Sequence, residues 1–158
     1  MKGVTVSKIA DKMKLNVFNP EVDLKKKITR SDVNRPALQL TGFFEFFDKD
    51  RVQIIGTVEY TYLRNTTLEQ KHEVYNQFLS YDIPCVIFCR SLQPEEDFLA
   101  IASEKGIPVL GAEDATSTFM AELIYILNEE LAPCISIHGV LVDVYGEGLL
   151  IMGESGIG

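Results

Sequence analysis

Short apolar runs alternate with longer amphipathic segments along most of the chain. Three of the runs, at residues 52–55, 85–89 and 107–111, are nearly continuous in apolar side chains and are too short for helices. Such runs are typical of strands that are buried on both faces, as in a parallel sheet. Glycine or proline stands in or beside each run, and these residues mark where the strands begin or end.

The segments between these runs carry helix signals. Thr67 is followed three residues later by Gln70, which is typical of a capping box at the start of a helix. Near the beginning of the chain, Ser7 precedes apolar residues four apart and is predicted to be an N-cap. Helices are predicted over residues 5–13, 57–63, 68–80, 95–104 and 114–131.

The repeated order of strand and helix predicts an α/β fold. Parallel strands need long crossover connections, and helices in those connections cover the faces of the sheet. We therefore predict a three-layer α/β domain with a largely parallel sheet over residues 1–131.

The pattern changes after residue 131. Apolar and polar residues alternate over 134–137 and 140–145, Gly146 and Gly148 form a turn signal, and an apolar run follows at 149–152. This pattern predicts a β-hairpin that leads into a glycine-rich segment. We place a domain boundary here and interpret residues 132–158 as the opening strands of a second domain.

Composition narrows the class of protein. The 158 residues include 15 Lys and Arg and 23 Asp and Glu, which gives a formal net charge of -8. This acidity argues against a general nucleic-acid or anionic-membrane surface. No apolar run approaches the roughly 20 residues of a membrane-spanning helix, and the start of the chain lacks a signal-peptide core. We therefore expect a cytoplasmic protein.

Three further features have structural interpretations. Cys85, Cys89 and Cys134 lack Cys-x-x-Cys spacing, and we expect buried free thiols. The lysine run at residues 25–27 is predicted to be a solvated face, with a phosphate-binding patch as the alternative. The segment 43–47 contains four phenylalanines and is predicted to be a core anchor or packing surface. A subunit or domain contact stays open because the four rings cannot all face one way.

Candidate chemistry lies at the end of the sequence. Gly153 and Gly158 have the spacing of the two glycines in the Walker A pattern, whose next positions are a lysine and a Ser or Thr. Glycines let successive backbone N–H groups point at a polyanion, and a following helix would add the positive end of its dipole. The pattern predicts a phosphate-binding loop, with a flexible Gly/Ser tail as the alternative.

Longer segments carry a family resemblance. Residues 138–158, HGVLVDVYGEGLLIMGESGIG, closely resemble HPr kinase/phosphorylase, and residues 35–44, RPALQLTGFF, and 131–133 are similar to the same family. The resemblance spans essentially the whole chain. It implies an N-terminal domain followed by the opening of a catalytic domain, which together make about half of a family member.

The resemblance implies a bacterial, cytoplasmic and bifunctional enzyme of carbon catabolite control. Members of the family phosphorylate a serine of the phosphocarrier protein HPr with ATP or pyrophosphate. They also remove that phosphate by phosphorolysis, which yields pyrophosphate. They form homohexamers through their catalytic domains, and the N-terminal domain is expected to have a regulatory or assembly role.

The resemblance also implies roles for particular residues. His138 matches an active-site histidine close to the phosphate loop, where it would stabilise charge or transfer a proton. The family's Mg²⁺ ligands and catalytic base would lie beyond residue 158, so no metal ligand is expected here and the 158-residue polypeptide is expected to be inactive. The loop that would bind the β-phosphate of ATP comprises Gly153, Glu154, Ser155, Gly156, Ile157 and Gly158.

Two other interpretations stay open. One is a stand-alone regulatory or oligomerisation α/β module without catalysis, and the other is an unrelated P-loop ATPase. His72 is expected on the solvated surface, and Asp143 is expected at an outward structural position rather than in catalysis.

Overall fold

The computed structural model describes residues 3–133, and the structural statements below are confined to them. Its strands are short and are interspersed with helices along the chain. They are β1 (Val4–Thr5), β2 (Asn16–Val17), β3 (Lys27–Ile28), β4 (Val33–Asn34), β5 (Val52–Ile55), β6 (Val86–Phe88) and β7 (Val109–Gly111).

The helices lie near the start of the chain, in the connections between the central strands, and after β7. They are α1 (Val6–Met13), α2 (Ala37–Leu40), α3 (Thr57–Arg64), α4 (Leu68–Phe78), α5 (Glu96–Lys105) and α6 (Thr116–Leu131). Among residues 3–133, no helix is both long and apolar enough to cross a bilayer.

A mainly parallel sheet of five strands forms the centre, in the order β2-β7-β6-β5-β4. The ladders β4–β5, β5–β6 and β6–β7 are parallel, which confirms the predicted α/β fold with a largely parallel sheet. The edge strand β2 pairs antiparallel with β7, and β1 and β3 form a separate antiparallel ribbon. The sequence pattern did not predict these short antiparallel strands.

One face of the sheet packs against α1 and α6. Ile54 lies beside Ile87 in the β5–β6 register, and both are buried with Phe119 and Leu123 of α6. Helix α6 was predicted from this apolar stripe, and it ends at Leu131 as expected. Burial of each such side chain stabilises the fold by about 1.5–3 kcal/mol relative to exposure.

The opposite face packs against the helices that connect the parallel strands. Ile55 and Phe88 alternate with the residues above and are buried with Tyr75 and Phe78 of α4 and Phe98 of α5. Strands that are apolar on both faces are therefore covered on both faces.

Helix starts confirm one predicted cap and correct another. Thr67 Oγ1 accepts a hydrogen bond from the Gln70 N–H at 3.2 Å, as predicted for α4. Helix α1, however, starts at Val6, and its N-cap is Thr5, whose Oγ1 accepts from the Lys8 N–H at 3.1 Å. The Ser7 prediction was wrong because Thr5 ends β1 in an extended conformation and already supplies the capping oxygen.

The aromatic segment divides into packed and exposed rings. Phe44 stacks on Tyr81 with ring centroids 5.3 Å apart, and Phe47 meets the same ring edge-on at 5.0 Å. This confirms a packing surface for two of the rings. Phe46 is 94% exposed and has a φ of 63°, in the left-handed region.

The lysine run is only partly the solvated face that was predicted. Lys25 and Lys27 are exposed, but Lys26 is partly buried. Its Nζ lies 2.7 Å from Asp82 Oδ1 and donates a hydrogen bond to the Ile83 carbonyl at 2.7 Å. Lys26 therefore ties the segment before β3 to the turn before β6.

Candidate functional site

Four loops meet where the parallel strands end. We call this region the carboxyl edge; it comprises residues 35, 56–59, 89–91 and 112–118, which follow β4, β5, β6 and β7 in turn. In open α/β sheets, ligands bind outside the carboxyl ends of the strands. This edge is therefore the candidate functional site of the described domain.

An ion pair between a partly exposed arginine and a buried carboxylate forms the centre of the edge. Arg35 Nη2 lies 2.7 Å from Glu59 Oε1, and the Glu59 side chain is 3% exposed. The same oxygen accepts a hydrogen bond from the Gly56 N–H at 2.8 Å. Glu59 thus holds the first turn of α3, where the helix dipole favours a carboxylate, and it fixes the position of the guanidinium.

Gly56 is confined on two sides. A Cβ at this position would lie 2.6 Å from Thr116 Oγ1 and 2.7 Å from Arg35 Nη2. Both groups therefore lie close to one point, and the guanidinium is adjacent to the first turn of α6. Only glycine leaves room for this approach.

Two buried polar groups lie at this edge. Thr116 is 6% exposed, and its hydroxyl is in hydrogen-bonding contact with the Cys89 thiol. Arg35 Nε is buried and makes no hydrogen bond within residues 3–133. Buried polar groups normally have partners, so this atom is the feature of the edge that the described residues do not explain.

Cys89 lies beside the same cluster. Burial raises the pKa of its thiol to about 11, although the neighbouring Thr116 hydroxyl and the Arg35 guanidinium oppose this shift. Cys85, deeper in the same strand region, has its pKa raised to about 12 by burial. Both are free and buried, as predicted, and neither is activated as a nucleophile.

The turn after β6 has an unusual backbone. Arg90 and Ser91 have φ values of 58° and 57°, although neither is glycine. The Arg90 N–H donates to the Asp114 carbonyl and the Ser91 N–H to the Ala112 carbonyl, both at 2.9 Å. Such conformations are costly and concentrate at functional sites. The turn fixes Arg90, an exposed residue, beside the loop that leads into α6.

A small cavity of about 190 Å³ opens next to this turn. Its walls include Phe18, Ser91, Gln93 and Glu113. Gly111 also lines it, and a Cβ there would lie 2.7 Å from the Phe18 ring, so a larger residue would have to displace that ring. Larger grooves lie elsewhere, one of about 640 Å³ lined by Lys26 and other charged residues and one of about 600 Å³ between α1 and α6.

The site residues predicted from the sequence lie outside the described residues. His138 and the loop from Gly153 to Gly158 belong to residues 134–158, so their roles stay predictions. Within residues 3–133, no group of His, Cys, Asp and Glu side chains is arranged to hold a metal ion. His72 is exposed, as expected, and its Nε2 lies 2.8 Å from Asp97 Oδ2.

Sequence reasoning missed the carboxyl edge. Arg35 appeared only within a resembling segment, and Gly56, Glu59 and Thr116 were not singled out. A local signal existed, because Glu59 stands three residues after Gly56, the spacing at which a carboxylate caps a helix start.

Comparison with solved structures supports the fold class. The fold is similar to that in the crystal structure of the CBS and DRTGG domains of the regulatory region of Clostridium perfringens pyrophosphatase complexed with an activator, diadenosine tetraphosphate. The TM-score is 0.50 at 17% sequence identity, and the match covers 76% of this chain and 45% of that chain. At this identity the likeness is one of fold alone, and it places the chain among α/β domains of this type.

The family is shown by sequence. The model of the family described as HPr Serine kinase N terminus matches residues 4–127. The chain belongs to this family.

Several relatives are similar over the whole chain. The HPr kinase/phosphorylase of Lachnoclostridium phytofermentans is 54% identical over 159 residues, a match that covers 100% of this chain and 52% of the relative. Those of Caldicellulosiruptor bescii and Streptococcus thermophilus are 44% and 40% identical, each over 98% of this chain and 50% of the relative. The chain thus spans about half the length of the curated relatives it matches.

Proposed function

We propose that the protein containing this chain is a bifunctional serine kinase and phosphorylase that acts on HPr with ATP or pyrophosphate. The observation that carries the proposal is the 54% identity to a relative named HPr kinase/phosphorylase, which extends through residues 134–158. A bacterial enzyme of carbon catabolite control, acting in the cytoplasm, follows from the same likeness.

The proposal assigns the chemistry to the last part of the chain. Gly153, Glu154, Ser155, Gly156, Ile157 and Gly158 would surround the ATP phosphates with backbone N–H groups. His138 would stabilise charge or transfer a proton beside them. The resemblance implies that Mg²⁺ would be held by residues of the catalytic domain outside residues 1–158, where it would neutralise negative charge during phosphoryl transfer.

The described domain has a different role in this proposal. We infer two units, residues 1–131 and 132–158, the second being the start of the catalytic domain. The first has its own core on both sides of the sheet, as an independently folding regulatory or assembly unit would. The same observation supports the second candidate function, a stand-alone regulatory or oligomerisation module without catalysis.

A chimera tests the enzyme assignment. Residues 1–158 replace the matching half of the Lachnoclostridium phytofermentans relative, and transfer of labelled phosphate from ATP to HPr is measured together with the reverse phosphorolysis. We expect both activities and a homohexamer by light scattering. A folded chimera that performs neither reaction, while the intact relative performs both, would refute the enzyme proposal. The stand-alone regulatory or oligomerisation module would then be the supported function.

Loop variants in the same chimera test the residue roles. Gly158→Val would displace the bound phosphates, and we expect a loss of about 100-fold in kcat/KM. Glu154→Gln is the matched control in the same loop; it keeps the backbone N–H and changes a side chain that we expect to face solvent, so activity should be retained. The 158-residue polypeptide by itself should transfer no phosphate to HPr above a no-protein control.

A further inference from the structure

We propose that the cavity of about 190 Å³ that opens after β6 and β7 binds an organic cation, an ammonium or guanidinium group on a short aliphatic stem. We call it the Phe18 cavity. Its lining includes Asn16, Phe18, Ser91, Gln93, Gly111 and Glu113. The proposal goes beyond the kinase function, because it uses none of the residues assigned to phosphoryl transfer.

The cavity lies at the end of the sheet where ligands bind in this fold class. Asn16 pairs with Gly111 at the end of β7, and residues 91–93 come shortly after β6. In open α/β sheets, ligands bind outside the carboxyl ends of the strands. One wall is held in a costly backbone conformation, since Ser91 has a φ of 57° and its N–H donates to the Ala112 carbonyl at 2.9 Å.

An aromatic ring forms part of the wall. A Cβ on Gly111 would lie 2.7 Å from Phe18 Cε2 and 2.8 Å from Phe18 Cζ, so the ring lies directly over the backbone of Gly111. Phe18 is partly buried and packs against the edge of the core that contains α4 and α5. A ring in this position offers an apolar surface for an aliphatic stem, and its π system attracts a cation.

The rim supplies oxygen acceptors that the described residues leave unused. The side chains of Asn16, Ser91 and Glu113 make no hydrogen bond or ion pair within residues 3–133. Gln93 Nε2 donates to the Ser91 carbonyl at 3.5 Å, which leaves Gln93 Oε1 as a further acceptor. Ammonium and guanidinium groups have only donors, so they match a rim of acceptors.

The charge of the rim favours a cation. Among the described residues that line the cavity, Glu113 is the one with a charged side chain, and it is exposed. Arg90 and Asp114 lie next to the lining residues in sequence and have opposite charges, so their fields at the cavity oppose one another. The formal net charge of -8 adds a general attraction for cations. An anion would instead meet an unpaired carboxylate.

The volume limits the size of the ligand. Sites for drug-sized ligands occupy roughly 300–1,000 Å³, whereas this cavity measures about 190 Å³. It therefore suits a charged head group with a short stem and is too small for a nucleotide. This chemistry has two sources, a free organic cation and a lysine or arginine side chain of another protein, and the experiment separates them.

Amide NMR of the 158-residue chain provides the test. The probes are n-propylguanidinium and n-butylammonium, both as chlorides. The controls are n-propylurea, which is neutral and similar in shape to the guanidinium probe, and sodium chloride at matched ionic strength. We expect saturable shifts of the residue 91, 93 and 111–113 amides with at least one cation and with neither control. No saturable shift with either cation, or shifts that a control reproduces, would overturn the proposal.

Blocked tripeptides identify the source of the cation. Tripeptides with lysine or arginine between two glycines, acetylated and amidated at their ends, are titrated under the same conditions. Tighter binding of a tripeptide than of the matching free probe would support a side chain of a partner protein. Tighter binding of the free probe would support a free organic cation. Either result supports the cation site.

A charge variant tests the assigned acceptor. Glu113→Gln keeps the shape of the side chain and removes its charge, and we expect Kd for the cation to rise by about tenfold. Glu104→Gln is the matched control, because it removes an equal charge from an exposed residue near the end of α5, close in sequence to the start of β7. It should leave Kd unchanged. Equal effects of the two variants would show only net-charge attraction and would overturn the proposal.

Phe18→Leu tests the ring. The variant keeps an apolar side chain but removes the π system, and we expect Kd for the cation to rise by about threefold. The amide spectrum without ligand shows whether the variant is folded, and Glu113→Gln decides the matter if it is not, because Glu113 is exposed. An unchanged Kd in Glu113→Gln, or in folded Phe18→Leu, would overturn the site whatever the outcome of the kinase assays.

Discussion

Arg35 Nη2 and Glu59 Oε1 lie 2.7 Å apart and join the residue after β4 to the first turn of α3. The Glu59 side chain is 3% exposed and the Arg35 side chain is 35% exposed, and the pair adds little net stability because the attraction is offset by the lost hydration of the carboxylate. Its main effect is geometric. It holds the guanidinium beside Gly56 and the start of α6, and so it determines the shape of the carboxyl edge.

Removal of one partner should therefore be costly. Arg35→Ala leaves the Glu59 carboxylate buried without its cation, and we expect a loss of about 3 kcal/mol in the free energy of unfolding, measured by urea denaturation. The matched control is Arg30→Ala. Arg30 pairs with carboxylates at the surface and is 43% exposed, so its loss should be at most about 1 kcal/mol. Equal losses in the two variants would contradict a special role for the pair of Arg35 and Glu59.

The central elements of the fold could be predicted because their signals are local. The strand β5 was predicted with its observed bounds, and β6 and β7 lie within the predicted apolar runs. The antiparallel strand β2 could not be predicted. It has two residues, Asn16 and Val17, too few to show alternation, and its pairing with β7 depends on a contact distant in sequence.

The carboxyl edge was not predicted for a related reason. Arg35, Glu59 and Thr116 are single polar residues in three separate segments, and only the order of the parallel strands brings them together. By contrast, His138 and the glycine loop were predicted from consecutive residues. The described residues do not include that part of the chain, so those roles depend on the family likeness and on the proposed assays.

Asn19 is predicted to be essential for the start of β7. Its amide group donates to the Ile107 carbonyl at 2.9 Å, and its Oδ1 accepts from the Val109 N–H at 2.8 Å. Asn19 is 1% exposed, so Asn19→Ala leaves both backbone groups buried and unpaired. We expect a loss of about 2–3 kcal/mol in urea denaturation.

The control for this change is Asn76→Ala. The Asn76 side chain also bonds a backbone carbonyl, that of His72 at 2.8 Å, but on an exposed helix surface. Water can replace that bond, and we expect a change within about 0.5 kcal/mol. A loss in Asn76→Ala as large as that in Asn19→Ala would show that burial does not decide the cost.

Because two thiols are buried, we expect the protein to lose stability in alkali. The pKa values of Cys85 and Cys89 are raised by burial to about 12 and about 11 in the folded protein, whereas an unfolded thiol ionises near a pH of about 8.5. The stabilisation that the protonated thiols give to the folded protein is complete below the pKa of the unfolded thiol. It is lost as the pH rises from there through the pKa values of the folded protein. Each thiol should lower the free energy of unfolding by about 2 kcal/mol between about pH 7 and about pH 10.

Alanine variants isolate this effect from other titrating groups. Urea denaturation at about pH 7 and about pH 10 is compared for the parent chain and for the double variant that carries both Cys85→Ala and Cys89→Ala. Tyr75, whose pKa is also raised by burial, is present in both proteins and cancels. The drop in stability should be clearly smaller in the variant, and an equal drop would mean that the thiols do not contribute.

Phe46 and Phe47 are adjacent in sequence and are predicted to respond oppositely to substitution. Phe46 is 94% exposed with a φ of 63°, so its ring gains little from folding while its backbone occupies a conformation that asparagine tolerates better. Phe46→Asn should raise the free energy of unfolding by about 1 kcal/mol. Phe47→Asn removes a ring packed on Tyr81 and Phe78 and should lower it by about 3 kcal/mol. Thermal or urea denaturation of the two variants measures the change in the free energy of unfolding for each. A loss of stability in Phe46→Asn would contradict the prediction and would indicate that the exposed ring is covered in solution, as in a contact between subunits.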